Sequence, residues 1–128
     1  MAARLTPCDA PGAPSIPTYA QAMEVRGIDR LLFVSGQVPA GPDWSVPTGF
    51  YDQSNLAWKN VIAQLDAAGM TLDNPVKVTV FLSDRKYTAD YRRSRDEILD
   101  GRKVSLTTIV CDIFDDAWLL EIEAIAAA

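Results

Sequence analysis

The sequence contains no histidine. That absence removes Ser-His-Asp and Cys-His nucleophilic sites, and with them histidine-rich zinc sites. Acid–base work must fall to Asp, Glu, Lys, Tyr or Cys. Cysteine is scarce: Cys8 and Cys111 are too few and too far apart for a disulfide framework. Cys111 lies in an apolar run and reads as a buried small hydrophobe, Cys8 as an exposed thiol. No apolar run approaches the roughly 20 residues that cross a bilayer. Pro7, Pro11, Gly12 and Pro14 interrupt the stretch that a signal peptide would keep apolar. The expected location is cytoplasmic. Positive charge is also short, with 12 Lys and Arg against 17 Asp and Glu and a net charge of −5. Nucleic acid and anionic membranes both reward basic clusters, so neither is an expected partner.

What is present describes a globular chain. Its 128 residues are 48% hydrophobic and 23% charged, enough for one core. Residues 1–15, rich in Pro and Ala, read as a partly flexible N-terminal segment, and residues 16–128 as a single domain. Residues 19–26 read as a strand, 27–30 as a turn and 31–35 as a second strand, together a hairpin. The breakers between Gly36 and Gly49 mark a loop, in which Trp44, unusual for a solvated loop, is expected to pack onto the fold. Residues 50–70 carry Ala57, Val61, Leu65 and Ala68 at helical spacing, and Gly69 is placed to end the helix. Val76, Val78, Val80 and Leu82 alternate as a strand. Residues 87–100 form a second helix with Tyr91, Ser94 or Arg95, and Ile98 inward; Arg92 and Arg93 read as a solvated face. Residues 106–113 and 119–126 are strands, separated by a turn at Asp115-Asp116.

The order β-β-α-β-α-β-β predicts an α+β fold, one mixed sheet with two helices on one face. The strands are apolar on both sides: Leu32 and Val34 oppose Phe33, and Val78 and Val80 oppose Phe81. Two helices cover one side only. The other side requires a partner, and self-association is the simplest one.

The last strand adds Glu121 and Glu123 on the face shared with Leu119 and Ile125. A carboxylate desolvated there acquires a raised pKa suited to acid or base work. The alternative is a structural pairing with Lys77 or Arg26 across an interface.

Residues 16–22 (IPTYAQA) and 32–39 (LFVSGQVP) resemble the N-terminal region of the RidA (YjgF) family. Gln53, Asn60-Val61, the AAGM of residues 67–70, the VKVTVFL of residues 76–82 and the EIEAIA of residues 121–126 extend the similarity, in order, over about residues 16–127. The resemblance implies a chorismate-mutase-like fold and a homotrimer with small-molecule clefts between subunits. It also implies hydrolysis of reactive enamines and imines to 2-oxo acids and ammonia, with no cofactor and no metal. Carried over by position, it makes Glu121 the catalytic residue that handles water. Tyr19, Ser35 and Gly36 fall in the substrate pocket. The family's carboxylate-binding arginine falls on Leu106, followed by Thr107 and Thr108. Leucine cannot bind a carboxylate, which places the chain in a subgroup lacking the arginine and with an altered substrate. Arg102, four residues earlier, is the nearest replacement in sequence. With Leu106, Phe81 and Trp118 make the expected pocket more apolar; Trp118 alternatively packs at an edge. A non-catalytic ligand-binding or assembly trimer on the same fold is the competing expectation.

Overall fold

The computed structural model describes residues 3–128. Residues 1 and 2 of the N-terminal segment lie outside the described residues. Six strands and two helices follow in the order β1 (Arg4–Pro7), β2 (Met23–Arg26), β3 (Leu31–Gln37), α1 (Phe50–Ala67), β4 (Pro75–Leu82), α2 (Thr88–Leu99), β5 (Ser105–Val110) and β6 (Leu120–Ala127), with a 3-10 turn at Arg85–Tyr87 before α2. No helix among the described residues is long and apolar enough to cross a membrane.

The strands form a four-stranded mixed sheet of order β3-β6-β4-β5 and a separate two-stranded ribbon of β1 and β2. This corrects the sequence expectation of one sheet in two respects. The Pro-rich N-terminal segment contains a strand. The expected hairpin between residues 19–26 and 31–35 does not form: β2 pairs with β1, and β3 pairs antiparallel with β6 from Leu31↔Ala127 to Val34↔Ala124. The eight-residue β6 offers β3 a longer apolar partner than the four-residue β2 does. Both strand–helix–strand units have the expected sense, since β5 runs parallel to β4, and β3 and β4 both run antiparallel to β6.

Alternation in the strands separates two faces. Val34, Val78, Val80, Leu82, Leu120, Ile122, Ala124 and Ala126 are buried beneath the helices, joined by Trp58, Val61 and Leu65 of α1 and Tyr91 and Leu99 of α2. Small polar residues let the helices approach: Ser54 Oγ donates to Ser94 Oγ at 2.8 Å, and Ser94 Oγ to Asn55 Oδ1 at 2.8 Å. Helix α1 ends as its sequence predicts. Gly69 takes a φ of +69°, and the amides of Gly69 and Met70 return to the carbonyls of Asp66 and Leu65, a Schellman closure. Cys8 is exposed as expected, but Cys111 is only half-buried, because β5 stops at Val110 and the inward alternation stops with it.

One buried polar residue ties the loops to the core. Gln53 donates to the carbonyls of Pro47 (2.8 Å) and Ala117 (3.0 Å) and accepts from the amide of Leu119 (2.9 Å). Replacing it with alanine strands these backbone groups where water is excluded. Gln53→Ala is expected to destabilise the fold by about 2–3 kcal/mol in urea unfolding. A change below about 0.5 kcal/mol would show that water replaces the amide.

Candidate functional site

The site residues expected from sequence fall into two groups on opposite faces of the sheet. The first lies on the face without helices. The register between β3 and β6 shifts between Val34 and Gln37, so Ser35 and Gly36 form a bulge. Glu121, half-buried on β6, rises beside it. A Cβ added at Gly36 would lie 2.7 Å from the Glu121 carboxyl carbon and 2.7 Å from Oε1. Glycine is therefore required by the carboxylate, which lies directly against the β3 backbone. Phe81 is the cross-strand neighbour of Glu121 on β4. Burial pushes the Glu121 carboxyl above its usual range, and the nearby charge of Glu123 pushes it further in the same direction.

The contact is to the flexible end of Glu121, so a methyl at position 36 moves the carboxylate rather than the fold. Gly36→Ala is expected to push the Glu121 carboxylate away from the β3 backbone towards water and so to bring its pKa back towards the usual range, as NMR titration would report. Its melting temperature should stay within about 3 °C of the parent. A large loss of melting temperature with an unchanged Glu121 titration would place the glycine's role in folding instead.

The same face carries a concavity of about 450 Å³ bordered by Phe33, Ser35, Lys77, Thr79, Glu123 and Ile125. Lys77 Nζ donates to Thr107 Oγ1 at 2.6 Å. Lys77 therefore engages Thr107 within the chain, not either glutamate. Phe33 is 70% exposed and Leu31 51%.

The second group lies on the helix side, at the edge strand β5. The segment before β2 docks there through a parallel bridge from Ala20 to Ser105 and a 2.9 Å bond from the Ala20 amide to the Val104 carbonyl. This sets Tyr19 beside the start of β5. Leu106 packs against the core from β5, and Thr108 follows on the same face. Tyr19, Leu106 and Thr108 line a groove of about 230 Å³. Thr107, pointing the opposite way, belongs to the first face. Trp118 is half-buried in the turn before β6, where its amide donates to the Asp115 carbonyl at 3.0 Å, and it lines neither concavity.

Arg102 does not line the groove beside Leu106. Its Nε donates to Asp73 Oδ1 at 2.7 Å, and it borders other concavities than the groove. The groove instead holds Tyr91, Arg92 and Arg95 of α2, which sequence reasoning did not assign to a site. The available signal was the i, i+4 spacing of Tyr91 and Arg95, which places both on one helical face. Among the described residues, no group of three or more Cys, Asp or Glu side chains gathers as metal ligands would.

Comparison with known proteins agrees with this arrangement of elements. The family described as endoribonuclease L-PSP matches residues 10–128. The 2-iminobutanoate/2-iminopropanoate deaminase of Mus musculus is 42% identical over 72 residues, 55% of this chain and 51% of that protein. Among solved structures, TdcF of E. coli with bound serine superposes with a TM-score of 0.73 at 30% identity, over 93% of each chain. YyfB of Yersinia pestis, from the conserved Rid family, superposes with a TM-score of 0.85 over 100% of both chains, and at 20% identity this likeness concerns the fold. The chain belongs to the endoribonuclease L-PSP family, which is the YjgF/RidA family.

Proposed function

We propose that the protein hydrolyses a reactive imine or enamine in a cleft between two copies of itself, within a homotrimer. The observation that carries this reading is the division of the site. Glu121 and Gly36 lie on the sheet face without helices, whereas Tyr19, Leu106 and Thr108 line a groove at the β5 edge on the other face. One chain does not bring them together. A second copy that covers the open face with its β5 edge does, and it takes the exposed Phe33 and Leu31 out of water in the same step. The deaminase name of the mouse relative and the serine bound to TdcF support a small, amino-acid-derived substrate.

In this reading the imine enters protonated at nitrogen by solvent, and Glu121 takes a proton from water as the oxygen adds to the C=N carbon. The resulting carbinolamine collapses with cleavage of its C–N bond. Ammonia leaves with the proton that Glu121 returns to nitrogen, and the hydroxyl proton passes to solvent as the carbonyl forms. An enamine enters the same sequence after protonation at its β-carbon. A carboxyl held above its usual pKa shuttles protons near neutral pH more readily than an exposed one. Ser35, Gly36 and Phe81 shape the wall around the reacting carbon, and Tyr19, Leu106 and Thr108 the wall across the cleft.

Ammonia release above the uncatalysed rate, from imines generated in situ by an amino-acid oxidase, tests the reading. Leu106, apolar where the family places a cation, favours one alternative: a trimer that binds a small ligand without turnover. Saturable binding in calorimetry with no acceleration of ammonia release would select that alternative.

A further inference from the structure

Arg95 is the one charged side chain buried among the described residues, at 4% exposure. It stands one turn after Tyr91 on α2, a helix whose other charged residues face water. Burying a guanidinium is unfavourable unless its charge and donors are met, so its contacts show what it holds. Nε donates to Asp96 Oδ1 at 3.0 Å, a carboxylate itself half in water. Another contact reaches far along the chain: Nη2 donates to Thr18 Oγ1 at 3.3 Å, across 77 positions of sequence. The guanidinium carbon lies 5.7 Å from the centre of the Tyr19 ring and 5.4 Å from that of Tyr91. A guanidinium is flat and weakly hydrated, which suits it to a place against aromatic faces.

The segment that carries Thr18 and Tyr19 has little else to hold it. Residues 8–18 are exposed throughout, and Pro11, Pro14 and Pro17 have no amide to donate. At its ends the segment is tied by the Cys8 amide to the Ala22 carbonyl (2.9 Å), by the Gln21 amide to Asp9 Oδ1 (2.8 Å) and by the Ala20 amide to the Val104 carbonyl (2.9 Å). Among the described residues, the bond to Arg95 is the one hydrogen bond from residues 14–18 to the rest of the fold. Tyr19 lines the groove beside Leu106 and Thr108. The Ala20 bridge fixes the backbone after Tyr19 but leaves the ring free to turn. What holds the ring is Arg95, on a helix that Tyr91 and Ser94 anchor in the core.

We infer that Arg95 is a positioning residue for the cleft: its guanidinium clasps Thr18 and the Tyr19 ring to helix α2 and so fixes the wall that Tyr19 presents to the substrate. This rests on the proposed function, in which Tyr19 lines the cleft, and deepens it by a residue that acts through Tyr19 without touching the reacting atoms. Once released, the segment gains freedom that substrate binding must remove again, which weakens binding and slows turnover.

Fluorine NMR of the intact oligomer labelled with 3-fluorotyrosine tests the clasp without turnover. The chain has four tyrosines, and Tyr19→Phe assigns the Tyr19 signal. Arg95→Met keeps a long apolar stem and removes the cation; it should move the Tyr19 signal towards that of free 3-fluorotyrosine and narrow it, with the Tyr51 and Tyr87 signals in place. Arg95→Lys keeps a charge near the ring and should restore part of the parent position. Thr18→Val alters an exposed residue and should move the Tyr19 signal in the same direction, which decides the matter if Arg95→Met does not fold. Ammonia release gives a second readout. Arg95→Met should lower it about tenfold, and Arg95→Met combined with Tyr19→Ala should be no slower than Tyr19→Ala alone, because residues that act as one unit are not additive. A Tyr19 signal unmoved by Arg95→Met, or by Thr18→Val if the former fails to fold, would overturn the inference, as would additive losses of rate. Arg95 would then be a structural tie alone. A parent protein that releases no ammonia sinks the proposed function, while the fluorine signal still decides whether Arg95 holds Tyr19.

Discussion

Glu121→Gln should lower the rate of ammonia release by about 10²–10⁴-fold, the range associated with loss of a positioned acid–base group. The substitution preserves shape and removes only the ability to carry a proton. Binding of the product oxo acid should therefore change little, so the loss falls on kcat rather than KM. The pH profile gives a second signature. Glu121 must be ionised to accept a proton from water, so kcat/KM should rise with pH through an ionisation above that of an exposed glutamate. Burial is the larger cause of the raised value and the Glu123 charge the smaller one, and both favour the protonated form. Glu123→Gln removes the repulsion, and the acid limb should move to lower pH while the maximal rate is kept. The same shift makes a stability statement. A carboxyl whose pKa is higher in the folded than in the unfolded chain favours folding most below its unfolded value, and that contribution is lost as pH rises through the folded one. Equal rates for parent and Glu121→Gln would remove this residue from the chemistry.

Phe33→Asp should dissolve the assembly and abolish activity together. Phe33 stands on the edge strand β3 of the open sheet face, with Ile125 as its cross-strand partner, and is 70% exposed in the single chain. An aromatic ring this exposed, with Leu31 51% exposed on the same strand, is unusual for a surface that stays in water. A carboxylate placed there is tolerated in a monomer and costs several kcal/mol when a second copy buries it. Light scattering should report the mass of one chain, far-UV circular dichroism should be unchanged, and ammonia release should fall more than about 100-fold because each chain keeps only half of the site. A monomeric variant with full activity would show that one chain suffices.

Much of this architecture was legible because the sheet writes its two faces into the sequence by alternation. Val78, Val80 and Leu82 against Lys77, Thr79 and Phe81 identify the buried side of β4, and the same reading sets Glu121 and Glu123 of β6 on the open side. The end of α1 was legible through Gly69, whose positive φ suits a residue without a side chain. What escaped was mostly non-local. Strand β1 contains a proline, shows no alternation and has a partner about twenty residues away, so no local signal announces it. The turn at residues 27–30 suggested a hairpin, yet the carboxy-terminal strand takes β3, and the Asp29 and Arg30 amides bond to the Ala128 carbonyl instead.

In the candidate site the legible part was Glu121 beside Ser35-Gly36, which the structure brings together. Sequence could not tell that Leu106 and Thr107 face opposite sides, since that depends on where β5 begins. Nor could it choose between Ser94 and Arg95 for the interior of α2; both are buried. In the string Arg92-Arg93-Ser94-Arg95-Asp96-Glu97, hydrophobicity gives no phase, and the helix's start at Thr88 after the 3-10 turn fixes which arginine turns inward.

The central claim is that a working site takes Glu121 from one copy and the β5 groove from another. Subunit mixing tests it most directly. Glu121→Gln disables the first half, and Thr108→Trp fills the groove that forms the second. Each variant alone should be folded, assembled and nearly inactive. After denaturation and joint refolding at equal concentrations, about a quarter of the sites unite two intact halves, so ammonia release should return to about a quarter of the parent rate. A mixture that demonstrably forms hybrid assemblies, yet stays as inactive as its components, would contradict the account.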